Sequence, residues 1–219
     1  MTDSEVLCRL IGPNTTLNDV VAVFSGSGWF EGRWYTWTST AELRGEVIAI
    51  EGTIQSGVQT IGRFSRRIVY EQKAARAIHE IIEIDDEGDH RDRGIAMAHY
   101  RSAIQFYDRV GIRSISLVAT AMGIFVWPTF GFDLSSIVQR ERLLALLKKA
   151  GVEAEDLTTE SVLAPQVVDI VLDGDDVGSQ VLIRLMELEF AHEVPMILDL
   201  ANPVQRLYLE KRGILLAGD

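Results

Sequence analysis

The residues best suited to chemistry lie in one polar loop, Arg91-Asp92-Arg93-Gly94-Ile95-Ala96, which has the form R-x-x-G-x-A. The segment that follows, about Gly94 to Val110, has the apolar spacing of an amphipathic helix. The first N–H groups of a helix have no intrahelical partner and carry the positive end of its dipole, so a helix start suits a phosphate group. Taken alone, such a loop is more often a solvated turn.

Buried strands are predicted on both sides of this loop and helix, at Ile78 to Ile84 and at Ile115 to Ala119. A strand, loop, helix and strand in this order form a crossover, which returns parallel and right-handed. Upstream, Glu46 to Tyr70 alternates as two strands of an antiparallel hairpin that turns near Ser56-Gly57, with Gly52 as a candidate bulge. The sequence therefore predicts an α/β (α+β) fold with a mixed central sheet and flanking helices.

Residues 46 to 133, with the loop, its flanking strands and a terminal Gly131-Phe132, resemble the GNAT superfamily of acyl-CoA-dependent N-acyltransferases. The resemblance implies a GNAT-like fold in which Arg91, Asp92, Arg93, Gly94, Ile95 and Ala96 hold the pyrophosphate of acetyl-CoA or another acyl-CoA. It also implies transfer of the acyl group from this co-substrate to an amine acceptor, either a small molecule or a peptide.

A carboxylate near the end of the strand before the loop often serves as general base in this family. The period of two along a strand places Glu83 and Asp85 on one face, so both are candidate catalytic residues. Either would take a proton from the acceptor ammonium, directly or through water. A solvated strand end is the alternative interpretation of the acidic run that begins at Asp85.

The chain departs from the family four residues before Gly131, where many members have a tyrosine that protonates the leaving thiolate. Trp127 stands there instead, and an indole N–H is not an acid near neutral pH. Pro128 beside it disfavours a regular helix. Residues 202–213, with Tyr208, are a second candidate for the last family helix. Three functions stay open: a divergent N-acyltransferase, a non-catalytic GNAT-like binding or protein-interaction module, or an unrelated α/β enzyme whose loop binds a different phosphate ligand.

The predicted organisation is an acyl-CoA-binding core at 1–134 and a mostly helical C-terminal extension at 135–219 packed on the core. The core begins with a short strand, Val6 to Ile11, and a helix capped by Thr15 or Thr16. The segment Trp29 to Trp37 contains three of the four tryptophans. Its rings are expected either to cover an edge of the core or to form an aromatic wall for an acceptor or partner.

Two helices of the extension carry recognisable caps. Ser136 with Gln139 predicts a capping box for a helix that ends near Gly151. Asn202 is expected to cap a helix from Pro203 to Lys211.

The charged residues outside the loop carry weaker signals. Arg63, Arg66 and Arg67 form a basic run that is either a solvated strand face or a second contact to the CoA phosphates. His99 falls beside the apolar stripe of its helix without a metal-spaced partner, so we interpret it as structural.

Composition excludes several classes of protein. A net charge of -11 and a pI near 4.8 argue against a general nucleic-acid binder. The single cysteine, Cys8, excludes an intramolecular disulfide and a cysteine-rich zinc site, and no metal is expected. An acidic N-terminus and the lack of a long uncharged apolar run predict a cytoplasmic protein without a membrane span. A homodimer or another protein partner stays open.

Overall fold

A computed structural model describes residues 2–84, 94–120, 123–152, 157–173, 180, 183–184, 186–187, 189 and 193–216. The chain forms two compact units: unit 1 contains residues 1–115 and 210–219, and unit 2 contains residues 116–209. Both helices and strands are present, which confirms the mixed α/β class. The division into a core at 1–134 and a mostly helical C-terminal extension at 135–219 packed on the core stays a prediction.

Unit 1 is a sheet of long strands with helices before and after it. Its elements are α1 (Asp3–Ile11), α2 (Leu17–Phe24), β1 (Gly26–Phe30), β2 (Arg33–Arg44), β3 (Val47–Ser56), β4 (Gln59–Glu71), β5 (Ala74–Ile84) and α3 (Ile95–Arg109), and β6 (Ser114–Ala119) starts at its end. Strands β1 to β5 form an antiparallel meander in which each strand pairs with the next. The predicted hairpin is confirmed as β3 and β4.

The two faces of this meander differ because side chains alternate along each strand. On the inner face, Ile48, Ile50 and Ile54 are fully buried, and the rings of α2 and α3 pack against that face. On the outer face, the register aligns Thr38, Thr53, Arg63 and Glu83 in one row across four strands. The inner face is therefore the core of unit 1, and the outer face carries polar and charged groups.

The predicted strand Val6 to Ile11 is wrong, because these residues belong to helix α1. The hydroxyl of Thr2 accepts a hydrogen bond from the N–H of Glu5, and the Glu5 carboxylate accepts one from the N–H of Thr2. This capping box starts the helix three residues before the apolar run that suggested a strand. Helix α2 agrees with prediction, with Thr16 as its N-cap.

The predicted bulge at Gly52 is also wrong, since the β3–β4 register shifts between Ile54 and Gln55. Gly52 serves a different purpose, because a Cβ there would lie 2.2 Å from the Phe64 ring and 2.5 Å from the Thr38 carbonyl oxygen. A glycine is therefore needed for the Phe64 ring to cover this point of the sheet.

Unit 2 contains most of β6, followed by α4 (Gly123–Thr129), β7 (Asp133–Leu134), α5 (Ile137–Ala150), α6 (Leu163–Asp173), β8 (Val194–Asp199) and most of α7 (Pro203–Lys211). Strand β8 lies between β6 and β7 and is antiparallel to β7. Helix α7 has the predicted bounds, and the Asn202 side chain accepts from the N–H of Val204.

Two local predictions in unit 2 are corrected. Ser136 is the N-cap of α5, but its side chain makes no capping hydrogen bond among the described residues, so the capping box with Gln139 is wrong. Residue 127 is helical despite Pro128, which lies inside the short helix α4.

Candidate functional site

The start of helix α3 has the geometry expected of an anion site. Gly94 is its N-cap in the left-handed conformation, with φ of 77°, and no side chain of the described residues caps it. The first intrahelical bond runs from the N–H of Ala98 to the carbonyl of Gly94, which leaves the earlier N–H groups outside the helical ladder. Ile95 is buried and fixes this turn in the core of unit 1.

Three of the six predicted cofactor-binding residues, Gly94, Ile95 and Ala96, belong to this turn. The other three, Arg91, Asp92 and Arg93, lie outside the described residues. The candidate base Asp85 also lies outside them. Binding at the described turn stays a prediction.

The aromatic segment divides between the two faces of the sheet. The Phe30 ring borders the start of α3, with its Cδ1 3.7 Å from the position of a Cβ on Gly94. Behind it lie the buried rings of Tyr35 and Trp37, with centroids 6.0 and 6.4 Å from that of Phe30. Trp29 and Trp34 pack edge to face and are exposed. Part of the segment therefore fills the core, and Phe30 forms a wall beside the candidate anion site.

The candidate base Glu83 lies on the outer face of β5, directly opposite Arg63 of β4. Its carboxylate accepts a 2.8 Å hydrogen bond from Arg63 Nε, and its side chain is 59% exposed. The same hydrogen bond raises the pKa of the Arg63 guanidinium. A base at this position would have to release Arg63 before it accepted a proton.

The outer face also has a concavity of about 610 Å³ near this pair. Its wall includes Arg63 and the hydroxyls of Thr38, Thr40, Thr53 and Ser65. The basic run of the sequence does not converge there: Arg63 and Arg67 are ion-paired with Glu83 and Glu80, whereas Arg66 is buried on the inner face. The three arginines therefore do not form one phosphate-binding cluster.

Arg66 belongs to a buried polar cluster that sequence reasoning missed. It is 1% exposed and lies opposite His79 in the β4–β5 register. Its Nη2 is 3.1 Å from His99 Nδ1, and its guanidinium carbon is 5.9 Å from the ring centroids of Phe24 and Phe64. The signal available in the sequence was its position in β4 between two apolar residues of the same face, Phe64 and Ile68.

The two histidines of this cluster are held neutral. Burial, and then the nearby Arg66 charge, lowers the pKa of His99 well below its usual value. Burial, Arg66 and His99 lower the pKa of His79 in the same way. His79 Nε2 is 3.2 Å from the Tyr107 hydroxyl, and burial raises the pKa of that phenol. Helix α3 is thus joined to β4 and β5 through polar contacts inside an apolar core.

Unit 2 brings the two candidate segments for the last family helix together. The indole of Trp127 packs on Phe130 and Phe132, with ring centroids 5.6 and 5.4 Å away. From α7, Gln205 Nε2 donates to the carbonyl of Gly131 at 2.9 Å, and the Tyr208 hydroxyl is 3.4 Å from the carbonyl oxygen of Thr129. The Tyr208 hydroxyl therefore lies beside Thr129 at the end of α4, and Thr129 is two residues after Trp127 in the sequence.

Asp133 is a buried structural residue of unit 2. Its carboxylate accepts hydrogen bonds from the N–H groups of Leu134, Leu163 and Ala164, and it pairs with Arg140 at 3.1 Å. Burial raises its pKa, and these four contacts act in the opposite direction. Since α6 begins at Leu163, Asp133 caps a helix that starts thirty residues later.

Two negative observations apply to the described part of the chain. Within it, no three His, Cys, Asp or Glu side chains are grouped so that they would hold a metal ion. None of its helices combines the length and the apolar character that a membrane crossing needs.

No family model and no curated protein matches this chain. Among solved structures, a chain described as Arabidopsis thaliana Naa50 in complex with bisubstrate analogue CoA-Ac-MVNAL is similar at a TM-score of 0.35 and 14% identity. The similarity covers 39% of the present chain and 58% of that one. A likeness this weak identifies neither a family nor an activity.

Proposed function

We propose that this protein is an acyl-CoA-dependent N-acyltransferase, with acetyl-CoA or another acyl-CoA as co-substrate. The observation that carries the proposal is the start of α3, where Gly94 leaves the first N–H groups uncapped by side chains of the described residues. Such groups suit a pyrophosphate, because they donate hydrogen bonds at the positive end of the helix dipole. Arg91 and Arg93 would add charge from the adjoining loop.

The reaction would proceed by direct attack of an amine on the thioester carbonyl. A C–N bond forms, the C–S bond breaks, and the ammonium proton has to leave before attack. Glu83 and Asp85 remain the candidate bases; for Glu83 this requires separation from Arg63, its partner at 2.8 Å. The leaving thiolate takes a proton from water.

Binding is tested by titration calorimetry with acetyl-CoA and with free CoA. Replacement Arg91→Glu should weaken binding about 10- to 100-fold, because it substitutes repulsion for a charged hydrogen bond. The matched control is Arg113→Glu, the same charge change at an exposed residue just beyond the other end of α3, which should leave the affinity within about twofold. Absence of heat with every acyl-CoA, or equal weakening by both variants, would refute the site.

A non-catalytic GNAT-like binding or protein-interaction module is the second candidate. It is favoured by Trp127, whose indole packs in an aromatic cluster at the position where the resemblance expects a proton donor. Turnover with a panel of amines separates the two functions. Loss of rate in Glu83→Gln or Asp85→Asn, with CoA affinity retained, supports catalysis; firm CoA binding without turnover on any amine supports the module.

A further inference from the structure

Two exposed indoles lie on the outer face of the meander in unit 1. Trp29 and Trp34 are directly opposite each other in the β1–β2 register and are 67% and 44% exposed. Because side chains alternate along β2 and Tyr35 is buried on the inner face, Trp34 and its neighbour Trp29 belong to the outer face. An indole in water forfeits the free energy that burial of its surface supplies, so a ligand that covers this pair gains binding energy.

A line of hydroxyl groups leads from the indoles to the concavity of about 610 Å³. Thr36 and Thr38 follow Trp34 on the same face of β2 at intervals of about 7 Å. The concavity begins at Thr38, whose Oγ1 lies 3.3 Å from Thr53 Oγ1. The outer strip, as we name it, therefore extends about 13 Å from Trp34 to Thr38 and then into the concavity. It consists of Trp29, Trp34, Thr36, Thr38, Thr53 and Arg63.

The charges around the outer strip are compensated. Three ion pairs of the described strands lie there: Arg63–Glu83 at 2.8 Å, Arg67–Glu80 at 2.6 Å and Arg44–Glu51 at 3.6 Å. A charged ligand would have to compete with these partners. An anion would also meet the chain's net charge of -11, and an organic cation would need carboxylates that arginines already hold. A neutral ligand fits this surface best.

We propose that the outer strip binds a neutral oligosaccharide. The C–H face of a sugar ring is apolar and packs on an indole, whereas its hydroxyls both donate and accept hydrogen bonds. Threonine hydroxyls can also do both, and the Arg63–Glu83 pair presents donors and an acceptor side by side. A strip about 13 Å long exceeds one sugar ring, which indicates a chain of several. The site is on the face opposite to α3 and does not depend on acyl-CoA binding.

Tryptophan fluorescence of the wild-type protein tests the site with three probes: cellohexaose, maltohexaose and chitohexaose. At least one of them should give a saturable blue shift of the emission, because Trp29 and Trp34 lose water on binding whereas Trp37 is already buried. The absence of a saturable change with all three sugars would overturn the proposal.

Two substitutions locate the binding. Trp34→Ala should weaken it about 30-fold, since a stacked tryptophan is a typical dominant contact. Thr53→Val keeps the shape of the side chain but removes its hydroxyl, and it should weaken binding about three- to tenfold. The matched control is Leu216→Ala, which truncates another exposed apolar residue of unit 1 and should leave the affinity unchanged. Equal weakening by the control, or unchanged affinity in Trp34→Ala, would refute the site.

The neutral character of the ligand is tested separately. The affinity should stay constant between about 50 and about 500 mM NaCl, because salt screens only interactions between charges. Tetramethylammonium, the probe for a cation site on the two indoles, should not displace the sugar. Displacement, or a steep loss of affinity with salt, would show that the strip recognises a charged group and that the proposal is wrong.

Discussion

Lowering the pH from 7.5 to 5.5 is expected to destabilise unit 1 through His79 and His99. Both imidazoles are buried beside the Arg66 guanidinium, with the Tyr100 and Tyr107 rings of α3 and the Phe24 and Phe64 rings around them. Protonation would add a second and a third positive charge to this cluster. Burial and Arg66 therefore hold the pKa of each histidine well below 6.5 in the folded protein.

The direction and the magnitude of this change in stability follow from proton linkage. In the unfolded chain both imidazoles titrate near pH 6.5, so below that pH the unfolded state binds more protons than the folded state. The stability that the two neutral histidines contribute is therefore fully present above about pH 6.5, and it is lost as the pH decreases. Well below pH 6.5, the free energy of unfolding decreases by about 1.4 kcal/mol per pH unit for each histidine. For both histidines together the decrease is about 2.7 kcal/mol per pH unit.

Urea unfolding at half-unit pH steps from 7.5 to 5.5 measures the slope of the free energy of unfolding against pH. His99→Gln and His79→Gln should each reduce it by about half, because one titrating group remains. A free energy of unfolding that stays constant over this range would refute the reasoning. So would a slope that neither substitution changes.

Three further outcomes are expected. Asp133→Ala should lower the free energy of unfolding by about 3 to 5 kcal/mol, because it removes a buried acceptor from three N–H groups and the counter-charge from the half-buried Arg140. Gly52→Ala should cost about 1 to 3 kcal/mol, since the new Cβ overlaps the Phe64 ring and a backbone oxygen. Truncation after Leu134 should give an aggregating fragment, because it removes Ile214, which is buried in unit 1.

Each of the two substitutions has a control. Glu42→Ala breaks an exposed ion pair with Arg44 and should change stability by less than about 1 kcal/mol in the same urea assay. Gly57→Ala leaves open space around the new Cβ, and its cost should come only from a φ of 60°. A soluble fragment of residues 1–134 with cooperative unfolding would contradict the truncation prediction.

The sequence predicted elements whose local signals agree with their tertiary setting. The β3–β4 hairpin has alternating β-branched residues, and α3 begins within a residue of the position expected from Gly94. The strand β5 starts four residues earlier than predicted. The turn between β4 and β5 contains Gln72 and Lys73, both with positive φ. Glycine is the usual sequence signal of such a turn, and neither residue is a glycine.

The candidate site was only partly accessible from the sequence. The helix start followed from a local motif, whereas the partner of Glu83 depends on register across β4 and β5, which no local pattern fixes. The interpretation of His99 as structural is consistent with its burial in unit 1. Its contact with Arg66 joins residues 33 positions apart, and this pairing required the fold.

Unit 1 is discontinuous in the chain, and this has a consequence for its biosynthesis. Ile214 and Leu215 are buried in it, and Gln105 of α3 donates a hydrogen bond to the carbonyl of Ile214. A ribosome adding about 5 to 20 residues per second needs roughly 5 to 20 s to make the intervening residues 116–209. During that interval the nascent meander has its strand neighbours but lacks two of its core residues, so this is when a chaperone would be most needed.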